Sequence, residues 1–559
     1  LRKTLGIIGP TVRASPFRRG IQTICFIVFL WLFFIVCWPY ASRPAEPGRV
    51  SDGWRLAGIQ QATGRFQFVD GNPDEWILKN AGNDRTLFVV DSSIADPTEG
   101  YLAPFGIVDN ENGSLDLEPQ GSLAPETVDR LLTSTGPWSF HERRPGAWPS
   151  HYADDLAHKE RFLSADLFLM LDPLVSLSTA IASKRWVGAL GCAAAILVVC
   201  LVVPRGFCSF LCPLGTLIDV FDWLVSKRFR RFRVGSSGWW IHLKYYLLIS
   251  VLVCSAFGVL VSSYVSAIPV VTRGLMFLGE PLQSAALRGW HQVSPWQTEH
   301  LLSISLFLFL LALGLLKPRF WCKYVCPSGA LFSLGNLLRI SERKVESSCI
   351  SCQRCIEICP FDALNQDFST RVSDCTVCQS CAGVCPTQSI KFVDRWNATA
   401  LMGPGTAHDK EVPGRRGFLS WSIGTTAAVL GGTGFAFMNK ALGARVGTQH
   451  AVLPVRPPGS VPEQQFLQLC IRCGECFKVC PNNVLQALGF EQGLEGLWTP
   501  YVNANWAGCD TSCNACGQVC PTGAIRPLSI DEKRAARMGL AIVDETSCLP
   551  FAARGDCQY

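Results

Sequence analysis

Charge is scarce in this chain. Of its 559 residues 17% are charged and 48% hydrophobic, which excludes an ordinary soluble protein, and the length excludes a single domain. The formal net charge of +6 is small for that length and indicates no nucleic-acid partner, so the basic residues matter through where they cluster. No CxxCH is present for c-type haem, and His242, His291 and His300 read as interfacial residues near helix ends rather than b-haem ligands. There is no GxGxxG after a strand and no Walker sequence, so nothing supports nucleotide binding. Cysteine is absent from residues 38 to 191 although the chain holds 27 of them, and a disulfide framework would not leave such a gap.

Sixteen of those cysteines fall in four ferredoxin-like runs. The first pair is Cys349-x2-Cys352-x2-Cys355-x3-Cys359-Pro and Cys375-x2-Cys378-x2-Cys381-x3-Cys385-Pro. In two-cluster ferredoxins the fourth cysteine of each run ligates the other cluster. That predicts Cys349, Cys352, Cys355 and Cys385 on one [4Fe-4S] cluster, with Cys375, Cys378, Cys381 and Cys359 on a second. Zinc is disfavoured, because zinc CxxC pairs rarely carry a third cysteine and a trailing Cys-Pro. A second copy assigns Cys470, Cys473, Cys476 and Cys520 to a third cluster, and Cys509, Cys513, Cys516 and Cys480 to a fourth. Its last run opens with a three-residue gap, so Cys509 is the least regular ligand. Cys548 and Cys557 read as the start of a further cluster site, or else as two free thiols on a tail. A chain that begins at Leu1 and stops just past Cys557 reads as a fragment truncated at both ends.

Apolar runs at Ile21 to Trp38, Val187 to Val203, Trp239 to Val261 and Leu301 to Leu316 are expected to span a ~30 Å hydrocarbon core. A signal peptide competes for the first run, but no small-residue cleavage site is clear after it. Arg13, Arg18 and Arg19 place the N-terminus in the cytoplasm. The basic stretches Lys227 to Arg233 and Lys317 to Lys344 put both following loops on that side as well. Residues 41 to 160 are polar and rich in Pro, Gly, Asp and Trp, and Arg65 to Val69 and Thr86 to Val90 suggest strands of a small extracytoplasmic domain. A fifth run, Phe418 to Phe437, stands apart. Arg415-Arg416-Gly-Phe-Leu-Ser420 before it resembles a twin-arginine export signal, and an ordinary positive flank predicts the same topology.

An internal repeat underlies the core: Pro204-Arg-Gly-Phe-Cys-Ser-Phe-Leu-Cys-Pro matches Pro318-Arg-Phe-Trp-Cys-Lys-Tyr-Val-Cys-Pro. Each half carries an upstream segment, from Leu171 and from Ala267, that is too short to span and reads as re-entrant or interfacial. If the paired cysteines Cys208/Cys212 and Cys322/Cys326 lie on helices, i and i+4 share a face and each pair presents two sulfurs together. The four then meet as a metal or cluster site, form redox-active disulfides, or remain inert. Cys25, Cys37, Cys192, Cys200 and Cys254 stand singly in apolar runs and read as small core residues.

At these motifs the chain resembles two proteins in tandem. Residues from about 165 to 396 resemble the NapH-type membrane subunit of periplasmic nitrate-reductase systems and its relatives in methylamine and nitrous-oxide reductase operons. Residues 411 to 559 resemble the NapG-type periplasmic ferredoxin. The expected architecture is a membrane α-helical core, four helices in two repeats plus a fifth anchoring helix. It carries two bacterial 2[4Fe-4S] ferredoxin-like α+β modules and a small extracytoplasmic domain of α/β or β character. The segments expected are 1–40, 41–164, 165–345, 346–396, 411–440, 441–465, 466–530 and 531–559.

The resemblance implies a protein of the bacterial inner membrane with one ferredoxin module cytoplasmic and one periplasmic. Electrons would pass from the quinol pool through four [4Fe-4S] clusters to a periplasmic reductase or cytochrome. A ~30 Å bilayer core is too wide for one efficient hop, so a quinone pocket and a cofactor at Cys208, Cys212, Cys322 and Cys326 are the expected bridge. Asp172, Glu280 and Glu299 are candidate proton acceptors. Relatives with the same CxxxCP core also suggest a metalloenzyme maturation factor, for copper or oxidase assembly, or a redox-sensing regulator.

Overall fold

The computed structural model describes residues 14–36, 40, seven strands between 49 and 141, 151–226, 239–290, 293–396, 415–442 and 454–539, with isolated positions elsewhere. The chain divides into two compact units, Ala41–His151 and the remainder. The first is built on one antiparallel sheet of seven strands: β1 (Arg49–Trp54), β2 (Leu56–Gln60), β3 (Arg65–Phe68), β4 (Thr86–Asp91), β5 (Tyr101–Asp109), β6 (Leu115–Pro119) and β7 (Trp138–His141). The order is β1-β7-β4-β5-β6-β3-β2. Leu87 and Val89 of β4, Phe105 of β5 and Leu117 of β6 are fully buried, as expected of apolar residues that alternate along a half-buried strand. This unit has β character. It also ends earlier than residue 164, because Leu156 and Ala165 bury against Val479, Cys513 and Ala515 of the second unit.

The larger unit is a helical core with a cysteine-rich module at each end. Its main helices are α1 (Pro16–Trp31), α2 (Pro173–Ser183), α3 (Ala189–Val202), α4 (Pro213–Ser226), α5 (Leu243–Ala256), α6 (Ala267–Arg288), α7 (Thr298–Ala312), α8 (Pro327–Gly335) and α9 (Arg415–Leu442). By length and composition two of them suffice to cross a membrane, Pro16–Phe34 and Thr298–Leu315. Helices α3 and α5 have 14 residues each, shorter than the runs from Val187 and Trp239 suggested, because α3 stops before Pro204 and α5 gives way at Gly258 in a left-handed conformation. Helix α6 differs in the other direction. The segment from Ala267, expected to be too short to span, opens a helix of 22 residues that runs through Pro281. The outward faces are apolar: Val198, Val199, Leu308 and Phe309 are exposed, as are Trp186, Trp290 and Trp296 near helix ends.

Close approach of the helices depends on small residues. On α6, a Cβ at Gly274 would lie 2.6 Å from the ring of Phe307 on α7. On α9, Gly424, Ala428, Gly432 and Ala436 recur every fourth residue and face α5. There the Ser250 hydroxyl donates to the Ala428 carbonyl at 2.9 Å, and the Cys254 thiol to that of Gly432 at 3.2 Å. The fifth helix therefore packs on the core rather than standing apart. The side chains of Arg415 and Arg416, and the basic stretch Lys227 to Arg233, lie outside the described residues.

The modules sit at opposite ends. The start of α1, the ends of α3 and α7 and the start of α5 meet the first module: Ser15 donates to the Cys378 carbonyl at 2.9 Å, Lys244 pairs with Asp374 at 2.6 Å, and Lys323 pairs with Asp362 at 2.8 Å. The other ends of those helices meet the second. Val187 and Ala189 pack on Phe466 and Leu469, the Arg472 guanidinium donates to the Leu260 carbonyl at 3.0 Å, and the Trp498 indole donates to that of Glu299 at 2.8 Å. The first module begins at strand β8 (Ser341–Val345), paired antiparallel with β9 (Ile390–Asp394), so it starts a few residues before 346. The second carries the short pair β10 (Leu485–Ala487) and β11 (Pro500–Val502).

Candidate iron-sulfur cages and the cysteine-bearing core

Left-handed residues at repeated positions wind the cysteine loops. In the first three runs, Ser351 and Gln353, Val377 and Gln379, and Arg472 and Gly474 flank the second cysteine with positive φ. This conformation is costly for residues other than glycine, and it turns successive thiols toward one centre. The fourth run differs: Asn514, after Cys513, has φ −131°, the local counterpart of its irregular gap. The third residue beyond each Cys-Pro cysteine is again left-handed in all four runs, at Asp362, Gln388, Asn483 and Gly523.

Three cavities result, each holding four thiols. One of about 350 Å³ is lined by Cys349, Cys352, Cys355 and Cys385, and another of about 350 Å³ by Cys359, Cys375, Cys378 and Cys381. A third of about 380 Å³ is lined by Cys470, Cys473, Cys476 and Cys520. Cys516 lies within electrostatic range of Cys513, Cys509 and Cys480, the remaining set. Each grouping brings a fourth cysteine across from the partner run. Among the described residues, no group of three or more His, Cys, Asp or Glu is gathered for a single metal ion. Burial pushes the Cys375 and Cys513 thiols up to about 12, so their protons leave only when a metal takes their place. Cys385 goes the other way: burial opposes ionisation, but hydrogen bonds from Thr387 and Ser389 hold it below the usual thiol value.

The repeated CxxxCP segments do not form ordinary α-helix. Cys208 lies in a five-residue π-helical turn, Phe207–Leu211, and Cys212 closes it in an extended conformation. Trp321–Val325 and Cys326 repeat the arrangement. The shared helical face expected for i and i+4 is therefore broken, because Pro213 and Pro327 start new helices directly afterwards. The four sulfurs nonetheless gather: Cys326 is within electrostatic range of Cys322, Cys208 and Cys212, and it belongs to the main core cluster against which the other three pack.

Two arginines seal this site. Arg205 and Arg319 hold the same place in the two repeats, both are essentially unexposed, and both have left-handed backbones. Each crosses to the other half: Arg205 donates to the Cys322 carbonyl at 3.4 Å, and Arg319 to the Gly215 carbonyl at 3.3 Å. Asp219 on α4 takes both arms of Arg319 at 2.6 Å and also pairs with Arg18 and Arg19. Phe361, next after Cys359-Pro360 in the first module, lies beneath both guanidiniums, at 5.4 Å from Arg205 and 4.7 Å from Arg319. Sequence reading missed this arrangement, although the Pro-Arg pair opens both copies of the repeat.

A family model described as a 4Fe-4S dicluster domain covers residues 469–524. Two described as 4Fe-4S binding domains cover 186–231 with 299–345, and 343–365. NapG of Escherichia coli, a ferredoxin-type protein, is 38% identical over 143 residues, 25% of this chain and 58% of NapG. The methylamine utilization ferredoxin-type protein MauM of Methylorubrum extorquens is 40% identical over 100 residues, 17% of this chain and 44% of MauM. The ferredoxin-type protein NapH of Escherichia coli is 28% identical over 233 residues, 40% of this chain and 69% of NapH. The chain is similar to Nap/Mau-type iron-sulfur proteins. It spans less than two thirds of the length of NapG and MauM. No solved structure matches it.

The three candidate proton acceptors are divided between two places. Asp172 is fully buried, caps α2 by accepting from the Leu174 amide at 3.1 Å, and accepts from Ser266 at 3.0 Å and Ser328 at 3.2 Å. Ser328 is two residues from Cys326, so Asp172 adjoins the CxxxCP site. Glu280 instead accepts from Asn483 at 3.1 Å, and the backbone of Glu299 holds Trp498, so both face the second module. His300 accepts the Gln297 amide at 3.0 Å, a helix-capping role, and His291 and Cys557 lie outside the described residues.

Proposed function

We propose that this chain is a membrane-bound subunit that oxidises a quinol and passes the electrons through four [4Fe-4S] clusters to a periplasmic reductase or cytochrome. The ligands would be the crosswise sets already given, with a further cluster or metal held by Cys208, Cys212, Cys322 and Cys326. The supporting observation is the position of the CxxxCP cysteines and α6 between the modules. Ser266 at the head of α6 bonds Asp172, and Thr272 on the same helix donates to the Cys473 carbonyl at 3.0 Å. Those six residues of helix amount to about 9 Å, against the ~30 Å of a whole bilayer core. Bound clusters would supply one-electron carriers.

The protein's own contribution is to exclude water, to seal the CxxxCP site with Arg205 and Arg319, and to take protons from the quinol. Asp172 suits that role better than Glu280 or Glu299 because it alone adjoins the CxxxCP site. The exposed apolar helix faces and helix-end tryptophans support placement in the bacterial inner membrane, and modules at opposite ends support one facing the cytoplasm and one the periplasm. The test is iron quantitation and EPR on the full-length protein in detergent, before and after addition of menaquinol or ubiquinol analogues. Signals from at least four clusters that appear on quinol addition are expected. Clusters that stay unmoved by quinol would defeat the reading.

A further inference from the structure

Arg343, expected from sequence to be one basic residue of a membrane-flanking loop, lies instead within β8 and is 5% exposed. Its side chain lines two cavities at once, the one holding Cys349, Cys352, Cys355 and Cys385 and the one holding Cys359, Cys375, Cys378 and Cys381. It is within electrostatic range of Cys355 on one side and of Cys375 and Cys381 on the other. Only one of its nitrogens is spoken for: Nη1 donates to the Phe368 carbonyl at 3.0 Å and to the Thr370 hydroxyl at 3.1 Å. Nε and Nη2 are buried without a hydrogen-bond partner in the protein. A guanidinium cannot shed its proton, and a buried cation with unpaired N–H groups is costly unless an anion completes it.

We propose that Arg343 is the shared potential-setting residue of the first module, its free N–H groups directed at the sulfur of both clusters. Each cluster gains a negative charge when it takes up an electron, so a fixed guanidinium between them favours the reduced form of both. The fork geometry matters as much as the charge, because separate N–H groups reach separate cages. Arg472 in the second module is a contrast: it lines the cage of Cys470, Cys473, Cys476 and Cys520, and both of its terminal nitrogens donate, Nη1 to the carbonyls of Leu260 and Cys470 and to the Ser263 hydroxyl and Nη2 to the Glu495 carbonyl, so that of the three nitrogens Nε alone is without a partner.

The test is an EPR-monitored dithionite titration of the full-length, cluster-loaded protein, wild type against Arg343→Gln and Arg343→Lys, with the second module as internal control. In Arg343→Gln both first-module clusters should become harder to reduce, their reduced-to-oxidised ratio at a fixed potential falling about tenfold, which is about 59 mV for a one-electron couple. In Arg343→Lys the charge remains but the fork is lost, so the two clusters should shift unequally. Should Arg343→Gln fail to hold iron, Arg343→Lys alone decides. Full iron content with unmoved potentials, or a shift confined to one cluster in Arg343→Gln, overturns the proposal. The inference rests on the ligand sets proposed above, and a wild-type iron content short of four clusters would be the failure of that reading instead.

Discussion

The two ferredoxin modules share a cysteine spacing and differ in how they meet the core. In the first, Cys352 is exposed, and attachment runs through ion pairs: Lys244 and Arg205 to Asp374, Lys317 and Lys323 to Asp362. In the second, Cys470 and Cys480 are buried, and Ile471, Phe477 and Trp498 belong to the same hydrophobic cluster as Cys326, Phe207 and Leu214. Cations stack on rings here too, as Arg205 and Arg319 do on Phe361, with Arg273 at 3.7 Å over Trp498 and Arg472 at 4.9 Å over Tyr264. The first module is docked; the second is part of the core. Ionic docking responds to pH, whereas apolar burial does not, so the two should separate under the same perturbation.

The largest expected effect comes from replacing a ligand. Cys473→Ser should lose one cluster and loosen the helices it packs against, while Cys352→Ser should lose one cluster and leave the core intact. Iron content together with protease resistance of α6 distinguishes them, and equal resistance in the two variants would break the contrast. Next, Asp374→Asn leaves Lys244 and Arg205 without their carboxylate and should cost about 3 to 5 kcal/mol. Hydrogen exchange should report this as opening of residues 341–396 with the second module still protected.

Acid should act in the same place. Burial disfavours ionisation of Asp374, but Lys244 and Arg205 outweigh it and hold the carboxyl below its ordinary value of 3.8; Lys323 and Lys317 do the same for Asp362. A depressed carboxyl pKa stabilises the folded state above the unfolded value and loses that contribution as pH falls through the folded one. Docking of the first module should therefore hold at neutral pH and weaken below about pH 4, ahead of the second, as followed by limited proteolysis. A smaller loss of about 1 to 3 kcal/mol is expected for Gly274→Ala, whose methyl meets Phe307, read as a lowered melting temperature. Smallest is Thr272→Val, which removes one hydrogen bond to the Cys473 loop for about 1 kcal/mol and should leave the first module untouched in the same melt.

Much of the candidate site was legible beforehand because ligand loops are local. Two-residue gaps bring three thiols around one centre, and the second residue after each Cys-Pro turns the chain back in all four runs. The helix boundaries were less legible. Hydropathy does not register that Gly258 ends α5, or that α6 continues from Ala267 through Pro281 under the packing of α7. The shared i, i+4 face considered for the CxxxCP pairs is lost because the turn is of π type and a proline directly after the second cysteine starts the next helix, which hydropathy does not register.

By itself, then, the sequence determined the cysteine spacing, the internal repeat and the similarity to Nap/Mau-type proteins, all of which rest on patterns within short stretches. Tertiary structure alone decided that Arg205 and Arg319 exchange between halves over Phe361, that Arg343 stands between two cages, and that the second module is sunk into the core. Those features join residues far apart in the chain, and no local periodicity records which distant side chain will fill a given buried space.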